Sequence, residues 1–254
     1  MPFTAETCVA HHIGDRAEQQ DRVGMFTHPT RPDILLAMLA DGMGGHSGGA
    51  MAAEQVVIKG RQNLDVFAPR HETAEQLLGS VLADAHTVIR LTRFTSEQDP
   101  HSTAVAFLLQ GNMVTWAHCG DSRLYHFRGL ETVARTEDHS LVGELQRKGR
   151  IDARQAQQHP QRNVLLSCLG SDREPRIEYG HARQLTAGNS FLLCSDGLWA
   201  YFGDDELAQT LHENSARAAA EILVGRARQR AAGSGDNISL AIVKLIPAHR
   251  NSLT

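Results

Sequence analysis

Three short apolar segments follow one another between residues 103 and 128, and they constrain the fold more than any other feature. Residues 103–109, 113–119 and 124–128 each predict a strand. Gly111-Asn112 separates the first two segments and Gly120-Asp121-Ser122-Arg123 the last two, and both predict tight turns. Because strands joined by tight turns pair antiparallel, the sequence argues against a doubly wound parallel sheet.

Further strands and helices flank this region. Residues 34–40 form an uninterrupted apolar run that predicts a buried strand, and residues 191–194 and 238–245 predict two more. Helices are expected at 50–63, 74–95, 141–148, 152–159, 204–214 and 215–232. The mixture predicts an α+β protein in which helices cover an antiparallel sheet.

The size and charge of the chain exclude several classes of protein. With 254 residues, 41% of them hydrophobic, it can bury a core without disulfides or metal, so a metal would serve function. The balance of 25 basic against 29 acidic residues offers no basic surface for nucleic acid. No apolar run approaches the ~20 residues that span a membrane, and the N-terminus predicts no signal peptide. We therefore expect a cytoplasmic protein with no nucleic-acid and no membrane partner.

The four cysteines show no C-x-x-C spacing. Cys119 and Cys194 lie at the ends of apolar runs, which is typical of buried free thiols. The cysteines are therefore not expected to form a zinc site or to bind another metal.

Aspartates recur at the predicted ends of strands. Asp41 and Asp196 each directly follow a buried strand, Asp121 lies in a turn, Asp236 precedes the last strand, and Asp21 lies near the N-terminus. Carboxylates at the edge of an apolar core lose hydration and repel one another unless a cation offsets their charge. Oxygen ligands without His or Cys favour Mg²⁺ or Mn²⁺ over Zn²⁺. A single Asp-Gly pair is also typical of a plain turn, so the pattern alone leaves both interpretations open.

A glycine-rich loop between a strand and a helix suggests a second interpretation, a dinucleotide-binding turn. The loop at residues 42–47 carries only two of the three glycines of that motif, with Ser47 at the third position. The position about twenty residues beyond holds Lys59 and Arg61 rather than an acid, and Asp41 would repel a pyrophosphate. The sequence therefore disfavours this alternative.

Seven motifs, in order, resemble those of the metal-dependent Ser/Thr protein phosphatases of type 2C, over residues 14–245. The matching segments are 16–21 (RAEQQD), 41–46 (DGMGGH), 102–105 (STAV), 120–123 (GDSR), 136–140 (TEDHS), 193–199 (LCSDGLW) and 236–238 (DNI). The resemblance implies a central antiparallel β-sandwich flanked by helices on both faces, in four αββα layers. It also implies a single catalytic domain over residues 1–254, with a flap at about 136–170.

The resemblance further implies an enzyme that hydrolyses phosphoserine and phosphothreonine in proteins with two Mn²⁺ or Mg²⁺ ions. Asp41 would bridge the ions, Gly42 would lend its carbonyl, Asp196 and Asp236 would hold the first ion, and Asp21 occupies a further acidic position. A hydroxide shared by the ions would attack phosphorus without a covalent phosphoenzyme. The substrates would be phosphorylated proteins, and a Ser/Thr kinase would be the opposing partner.

Arg16 would bind the phosphate oxygens through its guanidinium fork. Gln20 stands where many members have Glu, and Met43 stands where eukaryotic members have a His proposed as general acid. His46 is a weaker candidate for that role, or it caps the following helix or faces solvent.

Bacterial members bind a third ion through the Asp of G-D-S-R and an acid four residues after the Asp of S-D-G. Asp121 fills the first position, but Ala200 fills the second, so the third site lacks one ligand unless Asp204 or Asp205 supplies it. Asp121 would otherwise brace its own turn against Arg123.

A catalytically weak relative that binds phosphoproteins or a signalling partner is the competing hypothesis. Loss of Asp41, Asp196 or Asp236 would favour it, and all three are present. The sequence therefore favours the active phosphatase.

Overall fold

A computed structural model gives the fold and describes residues 3–44, 46–93 and 98–248. The strands of this part of the chain are β1 Phe3–His12, β2 Arg22–His28, β3 Arg31–Ala40, β4 Gly42–Met43, β5 His101–Ser102, β6 Ala104–Gln110, β7 Met113–Cys119, β8 Arg123–Arg128, β9 Glu131–Arg135, β10 Glu178–Ala182, β11 Asn189–Cys194 and β12 Ile238–Pro247. The helices are α1 His46–Val66, α2 Ala74–Thr92, α3 Leu141–Arg147, α4 Ala153–Gln157, α5 Asp196–Trp199, α6 Asp204–Glu213 and α7 Ala216–Ala231.

Two five-stranded antiparallel sheets form the centre of the molecule. The first sheet has the order β1-β12-β11-β8-β9, and the second sheet has the order β10-β7-β6-β3-β2. A small ladder of β4 and β5 lies apart from both. Both neighbours of β3 run antiparallel to it, so the sheet around the glycine-rich loop is not that of a dinucleotide-binding fold.

Four layers result from the alternation of side chains along the central strands. On β3, Leu36 and Met38 pack toward α1 and α2, whereas Ala37 and Leu39 pack between the two sheets. The strands β11 and β12 do the same against α6 and α7. Because these strands are buried on both faces, they occur in the sequence as continuous apolar runs. The predicted α+β class and the αββα order are confirmed.

The strands that the sequence did not predict are β1, β2, β9 and β10, together with the two-residue strands β4 and β5. The first four are the edge strands of the two sheets. Most of their side chains are exposed or half-buried. An edge strand buries little apolar surface, so its sequence lacks the apolar run that marks a central strand.

The predicted turn at Gly120 to Arg123 does not join paired strands, which corrects one expectation. The strands β6 and β7 pair as predicted, with Ala104 opposite Cys119. The strand β8 pairs instead with β11 and β9 in the first sheet. Residues 120–122 therefore cross from one sheet to the other.

Residues 136–170 contain α3 and α4 and lie outside the sheets. Ser140 caps α3 by accepting a hydrogen bond from the backbone of Gly143 at 3.1 Å. The segment returns to the small ladder at Leu169, whose backbone exchanges hydrogen bonds of 2.8 and 3.1 Å with Ser102 of β5.

No helix of the described residues is long and apolar enough to cross a membrane.

Phe191 of β11 packs across the interface between the two sheets, because the centre of its ring lies 5.0 Å from that of Phe107 on β6. Within its own sheet, the ring stacks on His126 with 4.4 Å between ring centres. We expect Phe191→Ala to lower the free energy of unfolding by about 3–5 kcal/mol, since a buried aromatic ring leaves a cavity. Leu130→Ala is the control, because Leu130 is 60% exposed and its loss should cost less than about 0.5 kcal/mol. Urea denaturation measures both, and equal losses would contradict the assigned core.

Candidate active site

The strand registers bring five aspartates to one end of the sandwich. In the second sheet, Ala40 opposite Arg22 and Leu39 opposite Val105 place the start of β2 and the end of β3 together. In the first sheet, Cys194 lies opposite both Arg123 and Leu240. The aspartates follow or precede these strand ends, at positions 21, 41, 121, 196 and 236. The predicted gathering of carboxylates is therefore present.

Mutual repulsion and burial raise the pKa of most of these carboxyl groups. Burial, followed by the charges of Asp21 and Asp196, holds the pKa of Asp41 well above its usual range. Burial and the charge of Asp196 do the same for Asp121. For Asp196, burial and the charge of Asp236 raise the pKa to about 6. The cluster therefore opposes its own ionisation.

Asp21 is the most enclosed member, with 3% of its surface exposed. Its Oδ2 accepts a hydrogen bond of 2.7 Å from Ser195 Oγ. Burial raises the pKa of Asp21 to about 7, although the bond from Ser195 opposes that rise. Asp21 and Asp196 are thus linked through Ser195, the residue that directly precedes α5.

Arg16 forms an ion pair with one member of the cluster, Asp236. Its guanidinium donates to Asp236 Oδ2 at 2.5 Å, and 60% of its side chain is exposed. The charge of Arg16 also lowers the pKa of Asp196, against the larger effect of burial. One exposed guanidinium offsets only part of the charge of five carboxylates.

The glycine-rich loop brings backbone close to backbone. A Cβ on Gly42 would lie 1.9 Å from the carbonyl oxygen of Gly49 and 2.8 Å from that of Gln20. Only glycine fits there. The backbone of Gly42, whose carbonyl is the candidate ligand, therefore packs directly against the backbone of α1 at Gly49.

Thr103 connects Asp41 to the turn that carries Asp121. Its Oγ1 accepts a hydrogen bond of 2.9 Å from the backbone of Asp41 and lies 2.7 Å from Ser122 Oγ. The Thr103 backbone also donates to the Asp41 carbonyl at 2.9 Å. The two aspartates, from different segments of the second sheet, are thus fixed relative to each other.

Asn237 fastens the loop that carries Arg16. Its amide donates to the carbonyls of Ile13 at 2.8 Å and Glu18 at 2.9 Å, and its Oδ1 accepts from the backbone of Gln20 at 2.7 Å. Asn237 follows Asp236 directly. One short segment therefore carries Asp236 and also holds the loop that carries its partner Arg16.

Several residues stand where the sequence departs from the phosphatase motifs or where their role stayed open, and the structure places them as follows. Gln20 lies between the Arg16 loop and Asp21, and Met43 of β4 pairs with His101 of β5. His46 begins α1, but its side chain lies outside the described residues. Ala200 is exposed and carries no ligand atom. The guanidinium of Arg123 donates two hydrogen bonds of 2.8 Å to Asp138, and its charge also lowers the pKa of Asp121 against the larger effect of burial.

Among the described residues, His118, His139 and Glu178 also place ligand-type atoms within 4.8 Å of one another. The two imidazole rings stack at 4.6 Å with 28° between their planes. Because a ring nitrogen binds a metal in the plane of its ring, stacked rings cannot share an ion unless one turns. We do not assign a metal to this group.

Ser195, Thr103 and Asn237 are site residues to which the sequence gave no role. Each one stands inside or beside a motif that carries an aspartate, and this position is the signal that could have singled them out. Their partners lie 174, 62 and up to 224 residues away along the chain.

Asp21 and Asp196 should make the metal-free protein less stable as pH rises. Their pKa values of about 7 and about 6 exceed the unfolded value of about 4, so the folded state binds more protons between pH 4 and 7. Stability is therefore lost as pH rises through that window. We expect Asp196→Asn to weaken this loss, and Asp33→Asn, at the other end of β3, to leave it unchanged. Thermal unfolding in EDTA at pH 5 and pH 8 measures the loss, and equal slopes in all three proteins would contradict the site electrostatics.

A sequence model described as protein phosphatase 2C matches residues 9–230. The serine/threonine protein phosphatase PstP of Mycobacterium tuberculosis is 32% identical over 213 residues, which cover 83% of this chain and 40% of PstP. The protein phosphatase PhpP of Streptococcus pneumoniae is 30% identical over 233 residues, which cover 91% of this chain and 93% of PhpP.

A solved structure gives the same result for the fold. The catalytic domain of PstP, in complex with two manganese ions, superposes with a TM-score of 0.79 at 26% identity, over 96% of this chain and 99% of that domain. The chain spans less than half of full-length PstP. The family model covers well over half of the chain, and it agrees with the motifs and with the four-layer fold. The chain belongs to the protein phosphatase 2C family.

Proposed function

We propose that this protein is a metal-dependent phosphatase of phosphoserine and phosphothreonine in proteins. The observation that carries the proposal is the cluster of five aspartates at one end of the sandwich. Burial and mutual repulsion disfavour the ionised cluster, and Arg16 offsets only part of its charge. Divalent cations would remove this cost.

The donor set fits Mn²⁺ or Mg²⁺. All of the candidate ligands are oxygens, which hard cations prefer. Asp41, Gly42 through its carbonyl, Asp196 and Asp236 would hold two ions, with Asp21 close behind and Asp121 available to a third. PstP, whose catalytic domain binds two manganese ions, supports this assignment.

When bound, the ions would supply the chemistry: they would lower the pKa of a water molecule and offset the charge of the phosphate, which favours direct hydrolysis over a covalent phosphoenzyme. The residues of the chain hold the substrate for this attack. Arg16 is exposed at the rim of the cluster and carries a guanidinium fork, which suits the phosphate oxygens. The hydrogen bonds of Asn237 to the loop keep Arg16 at that rim.

The cysteines support attack by water rather than by a thiolate. Burial raises the pKa of Cys119 to about 12 and that of Cys168 to about 11. Burial also raises the pKa of Cys194 and Cys8. All four thiols are therefore protonated near neutral pH and are poor nucleophiles.

The chain is best treated as one catalytic unit, because the proposed ligands run from Asp21 to Asp236. We propose that residues 136–170 act as a flap beside the site, since Leu169 of this segment pairs with Ser102 of β5, next to Thr103. Phosphorylated proteins would be the substrates, and a Ser/Thr kinase would be the opposing enzyme. The similarity to PstP and PhpP supports this assignment.

Hydrolysis of a phosphothreonine peptide tests the proposed chemistry. We expect Mn²⁺-dependent phosphate release that EDTA abolishes, and a loss of more than about 100-fold in Asp196→Asn, because the ions lose a ligand. Asp33→Asn is the control, since Asp33 pairs with Arg31 at the far end of β3. Phosphate release that survives both EDTA and Asp196→Asn would contradict the mechanism.

Arg16→Ala separates phosphate binding from metal binding. We expect the KM for the peptide to rise about tenfold, because charge-assisted bonds to phosphate are lost. Mn²⁺ affinity should stay equal or increase, because a positive charge leaves Asp236. Arg31→Ala should change neither quantity. The two quantities come from steady-state kinetics and calorimetry, and an unchanged KM would remove Arg16 from the phosphate site.

A further inference from the structure

The four-residue helix α5 connects three of the site aspartates. It begins with Asp196, and the preceding residue, Ser195, donates to Asp21. It ends with Trp199, whose indole Nε1 donates to the backbone carbonyl of Asp121 at 2.9 Å. Asp196 and Trp199 are three residues apart, so they lie on neighbouring positions of the same turn.

The indole of Trp199 is held on a second side. The guanidinium carbon of Arg123 lies 3.5 Å from the centre of its ring, within the range of a cation–π contact. Arg123 is fixed in turn by its two bonds of 2.8 Å to Asp138 and by one of 3.0 Å to the Tyr125 hydroxyl. The indole is therefore wedged between the Asp121 turn and a nearly buried ion pair.

The turn at Gly120 and Asp121 also contacts the start of the 136–170 segment. The His139 backbone donates to the Gly120 carbonyl at 2.9 Å, and the Gly120 backbone donates to His139 Nδ1 at 3.3 Å. Trp199 adds a contact from the other side, and this contact comes from the helix that carries Asp196. The pairing of Cys194 with Arg123 brings the Asp121 and Asp196 segments together, and the indole adds the side-chain contact that joins the turn to α5 beyond the last paired residues.

We propose that Trp199 is a positioning residue that fixes the Asp121 turn against α5 and thereby presets Asp121 and Asp196 for divalent cations. The inference rests on the proposed function, because it assigns ions to these carboxylates. Without the indole hydrogen bond, only the strand pairing at Arg123 and Cys194 would hold the turn near α5, and the cation would have to order the residues beyond that pair when it binds. The cost would fall on metal affinity and not on peptide binding.

Trp199→Phe tests the hydrogen bond, because phenylalanine keeps a ring beneath Arg123 and removes the donor. We expect the Mn²⁺ dissociation constant, measured by calorimetry without substrate, to rise about threefold to tenfold. The peptide KM at saturating Mn²⁺ should stay within about twofold. Trp116→Phe is the matched control, since Trp116 lies on β7 in the core between the sheets. The Mn²⁺ affinity of this variant should equal that of the wild type.

A fluorescence measurement tests the same contact without the Trp199→Phe variant. The chain has two tryptophans, so Trp116→Phe leaves Trp199 as the single indole. Paramagnetic Mn²⁺ should quench its emission over the concentration range in which calorimetry detects binding. Adding Asp196→Asn to this variant should abolish the quenching in that range.

Unchanged Mn²⁺ affinity in Trp199→Phe would overturn the inference. So would Trp199 emission that stays constant while calorimetry shows Mn²⁺ binding. In both cases the proposed function stands if the wild type still needs Mn²⁺ for hydrolysis. A wild-type protein that neither binds Mn²⁺ nor requires it would overturn the proposed function together with this inference.

Discussion

Repulsion among carboxylates that are crowded and largely withdrawn from water is the constraint on which the site depends. Asp41, Asp121 and Asp196 each have a raised pKa because burial and a neighbouring aspartate disfavour the ionised form. Neutral side chains at these positions would make the fold more stable, because they carry no cost of burying charge. The arrangement is therefore that of a cation site, in which a bound ion offsets the electrostatic free energy that crowding and burial add to the ionised carboxylates.

The fold holds this cluster together with contacts that span the chain. Backbone packing at Gly42, the Thr103 hydroxyl and the Asn237 amide each connect segments that are distant in sequence. The helix α5 connects the two sheets at the same end, through Ser195 on one side and Trp199 on the other. Each of these contacts reduces the freedom of a ligand-bearing segment before an ion binds, which is the advantage of a preorganised site.

The sequence predicted the parts of the fold whose signals are local. The continuous apolar runs of β3, β6 and β7 mark strands buried on both faces, and the aspartates next to them predicted where the cluster lies. Edge strands such as β1 carry no such run, because most of their side chains are exposed or half-buried. Sheet membership is not local either, so the crossing at residues 120–122 could not be distinguished from a hairpin turn. Ser195, Asn237 and Trp199 act through partners far along the chain, which only the folded structure identifies.

Proton release on Mn²⁺ binding tests most directly whether cations relieve this repulsion. A ligand must lose its proton before it binds a metal, so raised pKa values require that Mn²⁺ displace protons. Calorimetry at pH 6 in buffers of different ionisation enthalpy counts those protons. We expect saturable binding with net release of protons at pH 6, and less release in Asp196→Asn. Binding heats that do not depend on the buffer, or no saturable binding, would contradict a cation site built from carboxylates that resist ionisation.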